Sequence, residues 1–323
     1  MLELMQTKNQ QRRKLRLYTC SILAVVALMI LLAIAIPTVA TAQRSKMTTQ
    51  DKFLTVYGQK IHYVDVGSGP VVILLHNLGG DLSDWDKNRD VLSQKYRVVA
   101  FDQVGAGQSD KPFINYRPAT WVNFLEGVYK ELKINSASLV GHSMGGVVAA
   151  SFALAHPEKV ERLVMLDAGY GYAIPEVFDP HQFGHVPGTL QLLNPSTLEQ
   201  MQQSLALAFY DQKTYVSDAA IDKAFAGSML GAYAQQRFIE SFIRHEDVLD
   251  NKLGGIRQPT LIIWGREDGW TPVALGERFE RDISGSKLLV IDHCGHFANV
   301  EQADQFNAAV TKFLSDANDR TKS

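Results

Sequence analysis

Leu139-Val140-Gly141-His142-Ser143-Met144-Gly145-Gly146 is an apolar run that halts at a glycine, places one serine between two glycines, and leads into a small-residue apolar segment with helical spacing. A G-x-S-x-G sequence at a strand-to-helix junction is a nucleophile elbow, with Ser143 at its tip. The turn is too sharp for bulk at its flanks, and Gly141 and Gly145 carry no Cβ. Ser143 then stands above the end of a sheet, beside a helix N-terminus whose free N–H groups favour developing negative charge. Five residues are a weak signal by themselves, so the surroundings decide.

A serine hydroxyl needs a neighbouring base, and the base needs an orienting acid. Asp268 lies in Trp264-Gly265-Arg266-Glu267-Asp268, just past one apolar run. His296 lies in Cys294-Gly295-His296-Phe297, just past the last such run. Side chains that follow parallel strands gather at one edge of the sheet. The chain order Ser, Asp, His is the one this elbow calls for. Asp167, which also ends an apolar run, and Glu267 compete as the acid. Asp268 as a helix N-cap and His296 as a surface histidine are the bland alternatives. Cys294 has no elbow and is not read as a nucleophile.

Outward from the elbow, short apolar runs alternate with helical patterns. Strands are predicted over 59–66, 71–75, 97–102, 137–140, 163–167, 260–264 and 287–291, from β-branched runs bounded by turn residues. Helices are predicted over 81–94, 120–132, 147–155, 273–281 and 299–314 from apolar spacing. This alternation points to an α/β fold with a mainly parallel sheet covered on both faces. It breaks between residues 169 and 255, where no strand is expected and helices are predicted over 197–210, 218–230 and 232–250. There Met201, Leu205, Phe209, Phe225, Met229, Phe238 and Phe242 recur at helical spacing. They either fill the packing between helices or line a substrate pocket under a helical cap.

The chain has 323 residues, 46% hydrophobic and 20% charged, with a net charge of -2. That is long enough for one large α/β domain with an insertion, and the balance gives no invitation to nucleic acid. Lys8, Arg12, Arg13, Lys14 and Arg16 precede an uninterrupted apolar run from Ser21 to Ile36, followed by Pro37 and Ala40-Thr41-Ala42. Such a pattern predicts a secretory signal peptide cleaved after Ala42 or a retained N-terminal anchor over 21–36. The expected location is therefore periplasmic or extracellular, with possible membrane anchoring. The expected organisation is a leader over 1–42, a linker over 43–52, a core over 53–168 and 256–323, and a helical cap over 169–255. The two cysteines, Cys20 and Cys294, leave no disulfide within the mature part, and no cysteine–histidine cluster has zinc spacing.

With these motifs in place, residues 53–315 resemble the α/β-hydrolase fold superfamily. His76-Asn77-Leu78-Gly79-Gly80 is similar to that family's H-G-x-G-G turn. Asp102-Gln103-Val104-Gly105-Ala106-Gly107-Gln108-Ser109 is similar to D-x-x-G-x-G-x-S. The elbow and the Asp268 and His296 settings complete the match. The resemblance implies an eight-stranded, mainly parallel sheet flanked by helices with a helical cap. It implies Ser143 as nucleophile, His296 as general base, Asp268 as its orienting acid, and the backbone N–H groups of Leu78 and Met144 as an oxyanion hole. It calls for no cofactor and no metal. Asn77 departs from the family's usual glycine, and asparagine tolerates left-handed backbone. The expected activity is hydrolysis of carboxylic esters, small or lipid-like, through an acyl-enzyme. The alternatives are a lactone or carbon–carbon bond hydrolase, since Leu78 to Trp85 is reminiscent of enol-lactone hydrolases, a peptidase or amidase, and a non-catalytic binding protein on the same fold.

Overall fold

A computed structural model describes residues 51–169 and 189–316. The expected leader, the linker up to residue 50, and part of the cap segment lie outside the described residues. Lys52 is already in a strand, so the core begins one residue before the expected boundary.

Eight strands form one sheet: β1 (Lys52–Val56), β2 (Gln59–Val66), β3 (Val71–Leu75), β4 (Arg97–Phe101), β5 (Ala137–His142), β6 (Val160–Leu166), β7 (Thr260–Gly265) and β8 (Lys287–Ile291). Their order is β1-β2-β4-β3-β5-β6-β7-β8. β2 pairs antiparallel with β1 and β4, and every later pairing is parallel. Position in this order explains composition. β5 and β7 lie inside the sheet and are buried at every residue, as strands covered on both faces must be. β1 is an edge strand with Lys52, Phe53 and Thr55 exposed, so it shows only a weak alternation and escaped the sequence reading.

The five larger helices of the core split between the two faces. On one side lie α1 (Asp86–Ser93) and, from the chain end, a helix over Ala303–Ser315, contributing Leu92, Phe306, Val310 and Leu314 to one apolar cluster. On the other lie α2 (Pro118–Glu131), α3 (Met144–Ala155) and a helix over Val273–Asp282, which bury Trp121, Phe124, Val147, Phe152, Leu275 and Phe279. Burial of such side chains is worth about 1.5–3 kcal/mol each, so each helix is held by its sheet-facing stripe.

The segment between β6 and β7 is helical among its described residues. Its main pieces are α4 (Leu198–Ala208) and α5 (Asp218–Ile243). Thr197 caps α4 by accepting from the Gln200 amide at 3.1 Å, and Ser217 caps α5 by accepting from the Ala220 amide at 3.3 Å. α5 runs unbroken through Gly231, where two helices were expected. A Cβ at Gly231 would stand 3.1 Å from the Gly105 carbonyl, so this glycine serves close packing and not a helix end. No helix among the described residues is long and apolar enough to cross a membrane.

Candidate active site

The elbow forms as the sequence requires. β5 ends at His142, α3 begins at Met144, and Ser143 between them has φ 52° and ψ −118°. A non-glycine residue in that region is strained. Backbone bonds on both sides hold it there. Its amide donates to the Leu166 carbonyl at 2.8 Å, and its carbonyl accepts from the Gly146 amide at 2.9 Å. A Cβ at Gly141 would lie 2.2 Å from the Gly145 carbonyl oxygen. Glycine is the only residue that lets strand and helix meet this closely.

Asp268 and His296 arrive on the loops after β7 and β8. Those loops cross at Gly265, where a Cβ would stand 1.9 Å from the Gly295 carbonyl. The Asp268 side chain is fully buried. Its Oδ1 accepts from the amides of Trp270 at 2.7 Å and Thr271 at 3.0 Å. Its Oδ2 accepts from the Thr271 hydroxyl at 2.5 Å and pairs with His296 Nδ1 at 2.7 Å. Asp268 closes its own loop and partners a histidine; it is not a helix N-cap, since the following helix over Val273–Asp282 has Pro272 at that position. The acidic partner assigns the proton to Nδ1 and leaves Nε2 basic. The His296 amide donates to the Ala208 carbonyl at 2.7 Å, and its carbonyl is bonded by His142 Nε2 at 2.6 Å. Burial, then the neighbouring His296, drives the His142 imidazole well below its ordinary range, so it is neutral.

Ser143 and His296 open on one cavity of about 300 Å³. Leu192, Met201, Leu205, Phe209, Trp270 and Phe297 form its apolar wall. Phe209 stacks on Phe297 with ring centroids 4.9 Å apart. The cap's apolar stripe therefore divides. Met201, Leu205 and Phe209 line the cavity, Phe238 and Phe242 are core residues, and Met229, expected to pack or to line the pocket, is exposed. Asn77, Ser83, Asp84 and Lys223 are among its polar lining residues. Asp84 Oδ2 is buried without a hydrogen-bond partner. Burial first, then the negative charge of Asp81, holds the Asp84 carboxyl well above the usual range, against the opposing pull of Lys223. Neither Asp84, Lys223 nor Thr271 carried a motif in the sequence. Only the D-x-x-T spacing of Asp268 and Thr271 signalled a side-chain-closed turn.

Leu78 lines the cavity, and Met144 is the first residue of α3, so its N–H has no partner within the helix. The turn before Leu78 is braced by His76. Its Nδ1 bonds the Asn77 carbonyl at 2.7 Å, and its Nε2 accepts from the Gln103 amide at 2.9 Å. Burial lowers the His76 pKa, which matches a neutral ring that donates from one nitrogen and accepts on the other. Asn77 itself has no left-handed backbone, and Gly79 takes the positive φ of 76°. The Asp102 motif is a scaffold. Its carboxylate bonds His62 Nδ1 at 2.7 Å and the amides of Leu82 at 2.8 Å and Gln108 at 2.7 Å. Cys294 is buried, and burial pushes its thiol far up, away from the thiolate form a nucleophile needs.

The family model for the alpha/beta hydrolase fold matches residues 70–303. The chain belongs to the α/β-hydrolase fold family. This hydrolase is 32% identical over 269 residues to the 2-hydroxy-6-oxononadienedioate/2-hydroxy-6-oxononatrienedioate hydrolase of Cupriavidus pinatubonensis, covering 79% of this chain and 90% of that protein. Among solved structures it is similar to a meta-cleavage product hydrolase from Pseudomonas fluorescens, with TM-score 0.72, 31% identity, and coverage of 83% of this chain and 98% of that one. It is also similar to a bacterial membrane phospholipase A, with TM-score 0.76, 26% identity, and coverage of 91% and 98%.

These matches favour the carbon–carbon hydrolase alternative over simple ester cleavage. They also correct the expected export. The curated relatives that align over four-fifths of the chain are hydrolases named for 2-hydroxy-6-oxo dicarboxylates, and the periplasmic or extracellular, membrane-anchored placement is withdrawn. The residues that suggested it, 1–42, lie outside the described ones.

Proposed function

We propose that the protein is a serine hydrolase that cleaves a carbon–carbon bond beside a ketone in a small conjugated carboxylic acid. The observation that carries this reading is the mixed cavity at the elbow. Ser143 and His296, the latter paired with Asp268, border a space whose lining includes the apolar Met201, Leu205 and Phe209 and the cationic Lys223. In this reading a substrate carboxylate pairs with Lys223, while the chain beyond the ketone packs against Met201, Leu205 and Phe209. The named reaction of the relatives agrees with this shape.

In the proposed steps, His296 Nε2 takes the Ser143 hydroxyl proton as the oxygen adds to the ketone carbon. The resulting oxyanion accepts hydrogen bonds from the Leu78 and Met144 amides, each worth about 2.7–4 kcal/mol in a dry site. Collapse breaks the adjacent carbon–carbon bond. For the electron pair to be accommodated, the 2-hydroxy-diene must first tautomerise to the 2-ketone, losing the enol proton and gaining one at the carbon beside the scissile bond. The pair then departs as a conjugated enolate, which takes the imidazolium proton of His296. Water, deprotonated by the same imidazole, then hydrolyses the acyl-enzyme. Asp268 steadies the imidazolium formed in each half-reaction.

Ester cleavage is the second reading, favoured by the apolar wall and by the likeness to a phospholipase. It uses the same residues with an alkoxide leaving group. A panel separates the two: a 2-hydroxy-6-oxo-dienoic acid, an enol-lactone, and p-nitrophenyl esters of graded chain length. The expected result is kcat/KM for the keto acid at least tenfold above the best ester, with KM for that acid raised in Lys223→Met. Faster turnover of the esters, untouched by Lys223→Met, overturns the carbon–carbon reading.

A further inference from the structure

The loop that carries His296 is held through its backbone. Three successive amides find acceptors on other segments. The Cys294 amide donates to Glu267 Oε2 at 2.9 Å, the Gly295 amide to Glu301 Oε2 at 2.7 Å, and the His296 amide to the Ala208 carbonyl at 2.7 Å. Glu267 lies on the loop after β7, so its bond joins the two catalytic loops to each other. Glu301 reaches further. It is the last residue of the short helix Ala298–Glu301. Its Oε1 also accepts from the Asp211 amide at 2.9 Å, and its Oε2 from the Tyr210 amide at 3.3 Å. One carboxylate therefore joins the residue before His296 to two residues just past the end of α4.

The backbones meet closely at this junction. A Cβ at Gly295 would stand 2.3 Å from the Ala208 carbonyl oxygen and 2.9 Å from the Tyr210 nitrogen. One at Gly269 would stand 2.6 Å from the Leu207 carbonyl oxygen. The Gly269 amide donates to that carbonyl at 3.1 Å, and Trp270 Nε1 donates to the Ser204 carbonyl at 3.2 Å. The loops bearing Asp268 and His296 are thus both seated on the last turn of α4. That turn and the residue after it also supply cavity wall. Leu205 and Phe209 line the space in front of Ser143, and Phe209 stacks on Phe297, the neighbour of His296. Of the bonds named here, those of Glu301 come from one side chain to both partners, so a single substitution releases them together.

We propose that Glu301 is a positioning residue: its carboxylate locks the end of α4 to the His296 loop, so that the base and the cavity wall keep one geometry around Ser143. This rests on the proposed Ser143–His296–Asp268 assignment. Glu301 is not among the residues lining the cavity. It acts on turnover through the placement of His296 and Phe209, and wall and base move as one unit. A glutamine at 301 keeps one acceptor oxygen and sets an NH2 group where the other oxygen accepts, so at least one N–H donor faces another donor. An alanine leaves all three amides without the acceptor.

The test uses the full chain and two readouts: kcat and KM on whichever panel substrate is turned over, and the rate at which a p-nitrophenyl phosphonate labels Ser143. A misplacement near 1 Å costs about 10²-fold in turnover. Glu301→Ala is expected to lose about that factor in kcat, and Glu301→Gln about tenfold, with KM within about threefold of wild type in both. Labelling of Ser143 slows by the same factors, because it needs the same base. A folded Glu301→Ala whose kcat and labelling rate stay within about threefold of wild type overturns the proposal, whatever its urea midpoint, since the carboxylate would then serve stability alone. A loss confined to KM overturns it too. Labelling of Ser143 at the wild-type rate in His296→Ala would instead sink the assignment of the base, so the two failures are distinguishable. Should neither Glu301 variant fold, hydrogen exchange in the wild type decides. Amides of residues 208–211 and 295–296 that become exchangeable together support the joint, and independent opening of the two segments overturns it.

Discussion

Gly141→Ala is the sharpest structural test of the elbow. The new Cβ would lie 2.2 Å from the Gly145 carbonyl oxygen, 2.5 Å from its carbon and 2.6 Å from the Gly146 nitrogen. All three are backbone atoms, so no side chain can swing aside. Relieving the shortest contact to an ordinary separation of roughly 3.4 Å moves β5 and α3 apart by about 1.2 Å. Overpacking of this kind costs about 1–3 kcal/mol. Replacing a strand glycine returns about 0.5–1 kcal/mol through the unfolded chain. The difference of the two ranges is a net destabilisation of about 0–2.5 kcal/mol, and three backbone clashes place this site toward the upper end. Ser143 sits between the two elements that move, and a displacement near 1 Å costs about 10²-fold in turnover. Urea unfolding gives the first number and steady-state kinetics the second. A variant with unchanged midpoint and unchanged kcat would refute the close approach on which the elbow depends.

Other outcomes follow from single groups. Gly227→Ala, inside α5 with nothing within 4 Å of the new Cβ, should raise stability by about 0.5–1 kcal/mol, read as a higher urea midpoint. Asp102 carries a pH dependence of stability. Burial alone would raise its carboxyl, but the bonds from His62, Gln108 and Leu82 outweigh it and hold it below the usual range. Its stabilisation is complete above the ordinary carboxylate range and disappears as pH falls through the lowered native value. Asp102→Asn should therefore flatten the acid side of the stability-against-pH curve, and an unchanged slope would contradict that role. Thr271→Ala removes a donor to a buried carboxylate and should cost about 1.5–3 kcal/mol, with Thr271→Ser recovering most of it in the same unfolding assay.

Much of this arrangement was legible in the chain because it depends on local chemistry. β2, β3 and β8 fall on their expected bounds, since each is a β-branched run closed by turn residues. The pairing of Asp268 with His296 followed from residue types at strand ends. Elements shaped by tertiary contact were harder. The expected helix over 81–94 is a short 3-10 turn over Leu82–Trp85 followed by α1, because Asp81 caps the turn through the Ser83 amide at 2.7 Å. Gly231 looked like a helix end and is a packing site. Asp84 looked like an ordinary aspartate, and Asp167 was legible only as a competing candidate acid. Burial and neighbouring carboxylates raise both carboxyls well above the usual range, and burial beside a distant segment leaves no local pattern.

Labelling with a serine-directed phosphonate, followed by peptide mass mapping, tests the nucleophile most directly. One equivalent on the peptide containing Ser143, absent from Ser143→Ala, is the expected result. An adduct on any other residue, or undiminished labelling and turnover in Ser143→Ala, would contradict it.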